Sequence, residues 1–263
     1  MKTRNPRKTV FVTGASSGLG HALAREYAEA GTKIGIVARR KEKLYALGDI
    51  LSRAGSVPFV FTGDVRDRNF MAESADSFLK NAGVPDIVIA NAGTRGNHLG
   101  SFDQDDKDLI DTNFHGVRHT ILPFIPSMLA AGRGQILVIS SLAAKLALPG
   151  AAGYCASKAA INRWAGSLRL ALSPRGIDLT IVNPGFIRTE MTRDNPYPMP
   201  FVMDADEAAR IIRRKSSSGP SELNFPLPMS LGISLLALLP DRIRESFLSR
   251  FQARLYLSWP PAP

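Results

Sequence analysis

The sequence predicts an α/β protein built on a parallel sheet, and three observations carry that prediction. Short β-branched and aromatic runs alternate with longer segments of helical apolar spacing from one end of the chain to the other, the pattern of repeated βαβ units. The first such run passes directly into a glycine-rich turn, VFVTGASSGLG, that opens a helical segment. Finally, 263 residues with 44% hydrophobic and 21% charged side chains suit one domain with a full core, and exclude disorder, collagen or coiled coil as descriptions of the whole chain.

Each element follows from its local pattern. TVFVT predicts a strand over Thr9–Thr13, and the apolar spacing after the glycine turn predicts a helix over Leu19–Ala30. Strands over Lys33–Ala38 and Pro58–Phe61 precede helices over Lys41–Arg53 and Asn69–Lys80. A strand over Asp86–Ala90 leads into one long helix, Asp105–Ala130, and a strand over Gln135–Ser140 into a helix over Tyr154–Ser173. The last pair is a strand over Asp178–Asn183 and a helix over Asp204–Lys215. The polar run KSSSGPSE at Lys215–Glu222 then breaks the composition, so residues 1–219 read as one domain and 220–263 as an apolar and basic helical appendage.

Gly14, Gly18 and Gly20 sit between the first strand and the first helix, where missing side chains permit a tight turn and close approach of a pyrophosphate to helix-terminal N–H groups. A dinucleotide fold that prefers NAD places an acidic side chain about 20 residues further on, at the end of the second strand. Here the chain reads VARRKEKL: Ala38 accepts no hydrogen bond, and Arg39 and Arg40 offer planar cationic donors suited to a 2′-phosphate. The expected cofactor is therefore NADP(H).

TGASSGLG at Thr13–Gly20, NAG at Asn91–Gly93 and YCASK at Tyr154–Lys158, with ISS at Ile139–Ser141, Asn113 and NPGFIRT at Asn183–Thr189, together resemble the short-chain dehydrogenase/reductase family over about Lys8 to Thr192. The resemblance implies a doubly wound parallel sheet of the Rossmann type and nicotinamide-dependent interconversion of an alcohol and a carbonyl. It implies a catalytic set of Asn113, Ser141, Tyr154 and Lys158, with Ser141 chosen over Ser140 by its separation from Tyr154. It places Gly14, Ser16, Ser17, Gly18, Leu19 and Gly20 along the pyrophosphate, and Asp64 and Val65 beside the adenine. Asn91, Ala92 and Gly93 come near the adenosine ribose, and Pro184, Gly185, Ile187 and Thr189 at the nicotinamide end, with Tyr154 and Lys158 also meeting the cofactor. Ala90 departs from the asparagine that many members carry before NAG. A homodimer or homotetramer is implied as well.

Tyr154 and Lys158 are four residues apart, so on a helix they share a face, and a neighbouring ammonium is expected to favour the phenolate, as is the oxidised nicotinamide. His115 and His119 share that spacing, but no carboxylate or cysteine pattern completes a metal site. Cys155 is the only cysteine and reads as a small packed hydrophobe; with no second thiol, a reducing cytoplasmic setting fits. The first eight residues, MKTRNPRK, are basic but lead into no signal-peptide core, and the longest late apolar stretch, Leu231–Leu239, falls short of the ~20 residues of a spanning helix. The net charge of +10 is spread without a nucleic-acid recognition motif.

Two regions bear on the substrate. EMTRDNPYPMPFVM supplies Met191, Tyr197, Met199, Phe201 and Met203, which either line an apolar pocket or pack on the core. The final segment combines an apolar run with Arg242, Arg244, Arg250 and Arg254; it covers the substrate mouth, joins an oligomer or lies peripherally on an anionic membrane. The function expected is NADP(H)-dependent reduction of a ketone on an apolar or lipid-like molecule. A 3-oxoacyl thioester reductase and a non-catalytic NADP(H)-sensing protein are the alternatives.

Overall fold

The computed structural model describes residues 8–96, 102–148, 150–193, 195 and 198–253. The first half alternates β1 (Thr9–Thr13), α1 (Gly18–Glu26), β2 (Lys33–Ala38), α2 (Lys41–Arg53), β3 (Val57–Thr62), α3 (Arg68–Ala82) and β4 (Ile87–Ala90). Helices α4 (Phe102–Ile110), α5 (Gly116–Ile121) and α6 (Ile125–Ala131) lead to β5 (Gly134–Ile139), α7 (Ala152–Leu172) and β6 (Ile177–Pro184). The short strands β7 (Ile187–Arg188) and β8 (Met203–Asp204) pair with each other before α8 (Ala205–Ser216), β9 (Glu222–Phe225), α9 (Leu227–Leu238) and α10 (Asp241–Ala253).

Seven strands form one parallel sheet in the order β3-β2-β1-β4-β5-β6-β9. The order reverses at β1, where β2 and β4 flank it, and this is the doubly wound sheet that the sequence predicts. Side-chain alternation along each strand feeds two cores. Val10, Val12, Ile34, Ile36, Ile87 and Ile89 pack with Leu23 of α1, Leu44 and Leu47 of α2 and Ile212 of α8. On the other face Phe11, Val88 and Val138 pack with Phe78 of α3, Met128 of α6 and Ile161 of α7. Phe11 anchors that second core, with ring centroids 5.3 Å from Phe78 and 4.8 Å from Phe124.

Three expectations are corrected here. The single helix over Asp105–Ala130 is broken twice: a π-helical turn at Asp111–His115 follows α4, and a 3₁₀ turn at Leu122–Phe124 separates α5 from α6. Pro123 and Pro126 sit at the starts of that turn and of α6, where their missing N–H groups are tolerated and the α-helical ladder is interrupted. Helix α1 ends at Glu26 rather than Ala30, with Tyr27 as its C-cap. The sheet also continues past residue 219: Glu222–Phe225 pairs with Ile181–Pro184, so the C-terminal segment begins as the seventh strand and becomes helical after it. Leu223 and Phe225 of this strand are buried in the first core. The basic start (residues 1–7), Tyr197 and Arg254 lie outside the described residues, as does the side chain of Arg250.

Candidate active site

The carboxyl ends of β1, β4, β5 and β6 open on one cleft of about 450 Å³, at the point where the strand order reverses. Its floor is the turn between β1 and α1. A Cβ on Gly20 would fall 2.2 Å from the carbonyl oxygen of Gly14, so only glycine lets the helix sit this close to the strand end. Gly18 has φ +55°, and a side chain there would also meet Thr189 at 2.9 Å. Asn91, at the end of β4, ties the turn down: its Nδ2 donates to Thr13 O at 3.0 Å, and its backbone N–H to Thr13 Oγ1 at 3.2 Å. Ser17 holds the N-cap position of α1 without making a side-chain cap, and its hydroxyl accepts from Arg40 instead. The first N–H groups of the helix are thus left for an anion.

The two arginines after β2 diverge. Arg40 donates to Ser16 Oγ from Nε at 3.1 Å and from Nη2 at 2.9 Å, and to Glu190 at 2.5 Å. Arg39 swings to the opposite wall, 3.7 Å from Asp64, and is largely exposed. Of the pair expected to share a 2′-phosphate, Arg40 alone joins the serines of the glycine turn. Asp64 accepts from Arg66 twice at 2.9 Å; burial works against its anionic form, but these bonds outweigh it and hold the carboxyl below its usual range. Val65 is buried, and its carbonyl engages the His119 ring at 3.0 Å, while His115 contacts Arg118 at 3.4 Å. Among the described residues no three His, Cys, Asp or Glu side chains are grouped to hold a metal ion.

At the inner end the cleft is lined by Ser141, Tyr154 and Lys158. Ser141 follows β5, where its Oγ accepts from Ala143 N at 3.1 Å and its side chain hydrogen-bonds with Tyr154. Ser140 is buried and turned toward α7, its Oγ donating to the Lys158 carbonyl at 3.4 Å. Lys158 is 4% exposed; its Nζ donates to Ile139 O at 3.2 Å and lies 5.8 Å from the Tyr154 ring centroid. Burial pushes its ammonium down to about 8. The Tyr154 phenol is pushed up, by burial first, with the Ser141 bond opposing and Cys155 adding to the rise. In the protein itself, burial thus moves the phenol opposite to the lowering expected from an ammonium and an oxidised nicotinamide together. Cys155 is buried, and burial raises its thiol too.

Asn113 is fully buried in the π-helical turn, where the wider turn aims its amide at the loop after β4. Its Oδ1 accepts from Thr94 N at 2.8 Å, and its Nδ2 donates to Thr94 O at 2.8 Å and to Ser157 Oγ at 3.0 Å. Gly93 lies between Asn113 and Lys158 in a close fit: a Cβ would stand 3.1 Å from Asn113 Oδ1, so that side chain would have to give by a few tenths of an ångström, and 3.4 Å from Lys158 Nζ. Leu19, Ala92, Pro184, Gly185, Ile187 and Thr189 also line the cleft. Met191 faces it as well, Met203 packs against the first core, and Phe201 is 58% exposed.

Four contributions carry no role in the sequence reading, although Ser157 lies within the YCASK motif. Thr94 and Ser157 hold the Asn113 amide, Glu190 reaches Arg40, and Met229 of α9 touches the cleft rim, since a Cβ on Gly185 would come 2.6 Å from its sulfur. The resulting cleft pairs a hydroxyl, a phenol and an ammonium at one end with cations and a helix N-terminus at the other. Those residues fit a phosphorylated dinucleotide: open N–H groups for its pyrophosphate, and Arg40 with two serines for a further phosphate.

The short chain dehydrogenase family model matches residues 8–198. The chain is 33% identical over 247 residues to an uncharacterized oxidoreductase of Myxococcus xanthus, covering 93% of this chain and 98% of that one. It is 38% identical over 196 residues to 11-beta-hydroxysteroid dehydrogenase-like 2 of Arabidopsis thaliana, covering 70% of this chain but 61% of that longer one. Among solved structures it resembles the alcohol dehydrogenase of Thermococcus sibiricus complexed with 5-hydroxy-NADP, with TM-score 0.74, 26% identity, and coverage of 83% of this chain and 95% of that one. With the sheet order, the glycine turn and the serine, tyrosine and lysine all in place, the match over most of the chain makes this protein a member of the short-chain dehydrogenase/reductase family.

Proposed function

We propose that the protein is an NADP(H)-dependent reductase that converts a ketone on an apolar or lipid-like molecule into a secondary alcohol. The observation that carries this reading is the convergence of Ser141, Tyr154 and Lys158 at the inner end of a cleft whose outer end gathers Arg40, Ser16 and Ser17. When bound, the cofactor supplies the hydride. Tyr154 holds the proton at the substrate oxygen, and a phenol kept protonated by burial is the form able to donate it. Ser141 shares that oxygen through a hydroxyl hydrogen bond. Lys158, with its ammonium near neutrality, resupplies the phenol, and Asn113 keeps the loop carrying Gly93 against it.

The apolar substrate class is supported by Met191 on the cleft wall and Met229 at its rim. Leu227, Leu231, Leu235 and Leu238 are exposed along α9, beside the exposed Arg242 of α10, which suits a peripheral contact with an anionic membrane close to the substrate entrance. No described helix is long and apolar enough to cross a membrane. Exposed Leu122 and Leu170, near and on the helices that carry the site, support assembly as a homodimer or homotetramer. The test is oxidation of NADPH and of NADH against short ketones, long-chain ketones and 3-oxoacyl thioesters, with Tyr154→Phe as control. NADPH-preferring turnover of long-chain ketones that falls by about three orders of magnitude in the variant is expected. Comparable turnover in Tyr154→Phe would remove the phenol from the chemistry.

A further inference from the structure

Glu190 stands apart from the motifs, yet it makes the contact that spans the outer cleft. It opens a short 3₁₀ turn, Glu190–Thr192, directly after Thr189. That turn is held in shape: Thr192 Oγ1 donates to Ile187 O at 2.7 Å, and Thr189 N donates to Thr192 Oγ1 at 3.0 Å. From this base the Glu190 carboxylate crosses to the other side of the cleft, 150 residues away in sequence. There Oε2 accepts from Arg40 Nη1 and Oε1 from Lys43 Nζ, each at 2.5 Å. The same guanidinium also donates to Ser16 and Ser17, so two cations converge on one anion while two hydroxyls steady the arginine from the other side. These two cations push the Glu190 carboxyl down to about 2, and it stays anionic at any physiological pH.

We propose that Glu190 is a built-in stand-in for the 2′-phosphate, occupying the Arg40 and Lys43 donors in the free protein and competing with that phosphate for them. The inference rests on the NADP(H) reading above and adds a residue that sets how strongly the cofactor's phosphate is felt. A carboxylate offers one negative charge and two acceptor oxygens, whereas a phosphate monoester near neutral pH carries up to about two charges and three oxygens. The phosphate therefore wins the exchange, at the cost of two ion pairs. Exposed pairs of this kind are individually weak, so freeing the cations in advance should raise affinity about three- to tenfold. A dinucleotide without the 2′-phosphate gains nothing from the exchange.

The experiment is calorimetric titration of NADPH and of NADH into the full-length wild type, Glu190→Gln and Glu190→Ala at one fixed ionic strength. Wild type should bind NADPH more tightly than NADH. Both variants should tighten NADPH about three- to tenfold and leave NADH unchanged. NADPH affinity unchanged or weakened in both variants, with wild type still preferring NADPH, would overturn the competition and leave the cofactor reading intact. A wild type that prefers NADH, with both variants losing NADH affinity, would overturn both: Glu190 would then be the ribose acceptor that the second strand lacks.

Discussion

Lys158→Met should stabilise the fold while abolishing turnover, and the size of the gain follows from the burial of the ammonium. A pKa carried from 10.5 to about 8 by burial alone corresponds to about 3 kcal/mol of destabilisation of the charged form, at roughly 1.4 kcal/mol per unit. The sign follows from proton binding. Between about 8 and 10.5 the unfolded chain keeps its ammonium while the folded chain has lost it, so stability rises with pH in that window. The cost is complete below the folded pKa and is relieved as pH climbs through and beyond it. About 1 kcal/mol should return between about pH 7 and pH 9, and the variant lacks this component altogether. Urea unfolding of both proteins across that range gives the difference directly. A wild-type-minus-variant difference that stays flat with pH, or a variant less stable than wild type near pH 7, would refute the reasoning.

Two further outcomes test other parts of the structure. Gly20→Ala places a Cβ 2.2 Å from the Gly14 carbonyl, a backbone atom that cannot step aside, so it should cost at least about 3 kcal/mol and weaken dinucleotide binding; unfolding and titration of the purified variant check both. Replacing Leu231 and Leu235 together with glutamate should leave turnover of short ketones unchanged and abolish co-sedimentation with anionic phosphatidylserine vesicles, because both leucines lie on the exposed row of α9. Unaltered sedimentation would remove the membrane contact from the proposed function.

The strands were legible because a parallel sheet covered on both faces demands continuous runs of buried β-branched residues, and β1 and β2 appear at their expected bounds. Strand β9 was not. Only two of its four residues, Leu223 and Phe225, are buried, and it follows a polar Ser/Gly/Pro loop that reads as the end of a domain. What makes ELNF a strand is the free edge of β6, a partner 41 residues earlier that no local window contains. The broken helix failed for the converse reason. Its apolar spacing persists through the π-helical turn, since a single widened turn shifts the face without changing the composition, and the purpose of that shift, aiming Asn113 at Thr94, exists only in three dimensions.

At the site, geometry was legible and solvation was not. The four-residue spacing of Tyr154 and Lys158 places both on one face of α7, and the structure keeps them there, 5.8 Å apart by the ring centroid. Proximity alone suggested an ammonium stabilising a phenolate. The structure instead buries both groups, which moves the phenol up and the ammonium down to about 8, so the protein by itself keeps the phenol protonated and lets the lysine lose its charge only above about pH 8. For the proposed reduction this is the useful order: the group nearest the substrate oxygen starts protonated, and the lysine behind it exchanges protons close to working pH. In the oxidative direction the same phenol would have to lose its proton first, against burial. The proposed catalyst should therefore show a steeper dependence on rising pH when it oxidises the alcohol than when it reduces the ketone. Parallel pH profiles of kcat in the two directions would show that solvation of Tyr154 does not govern the proton step.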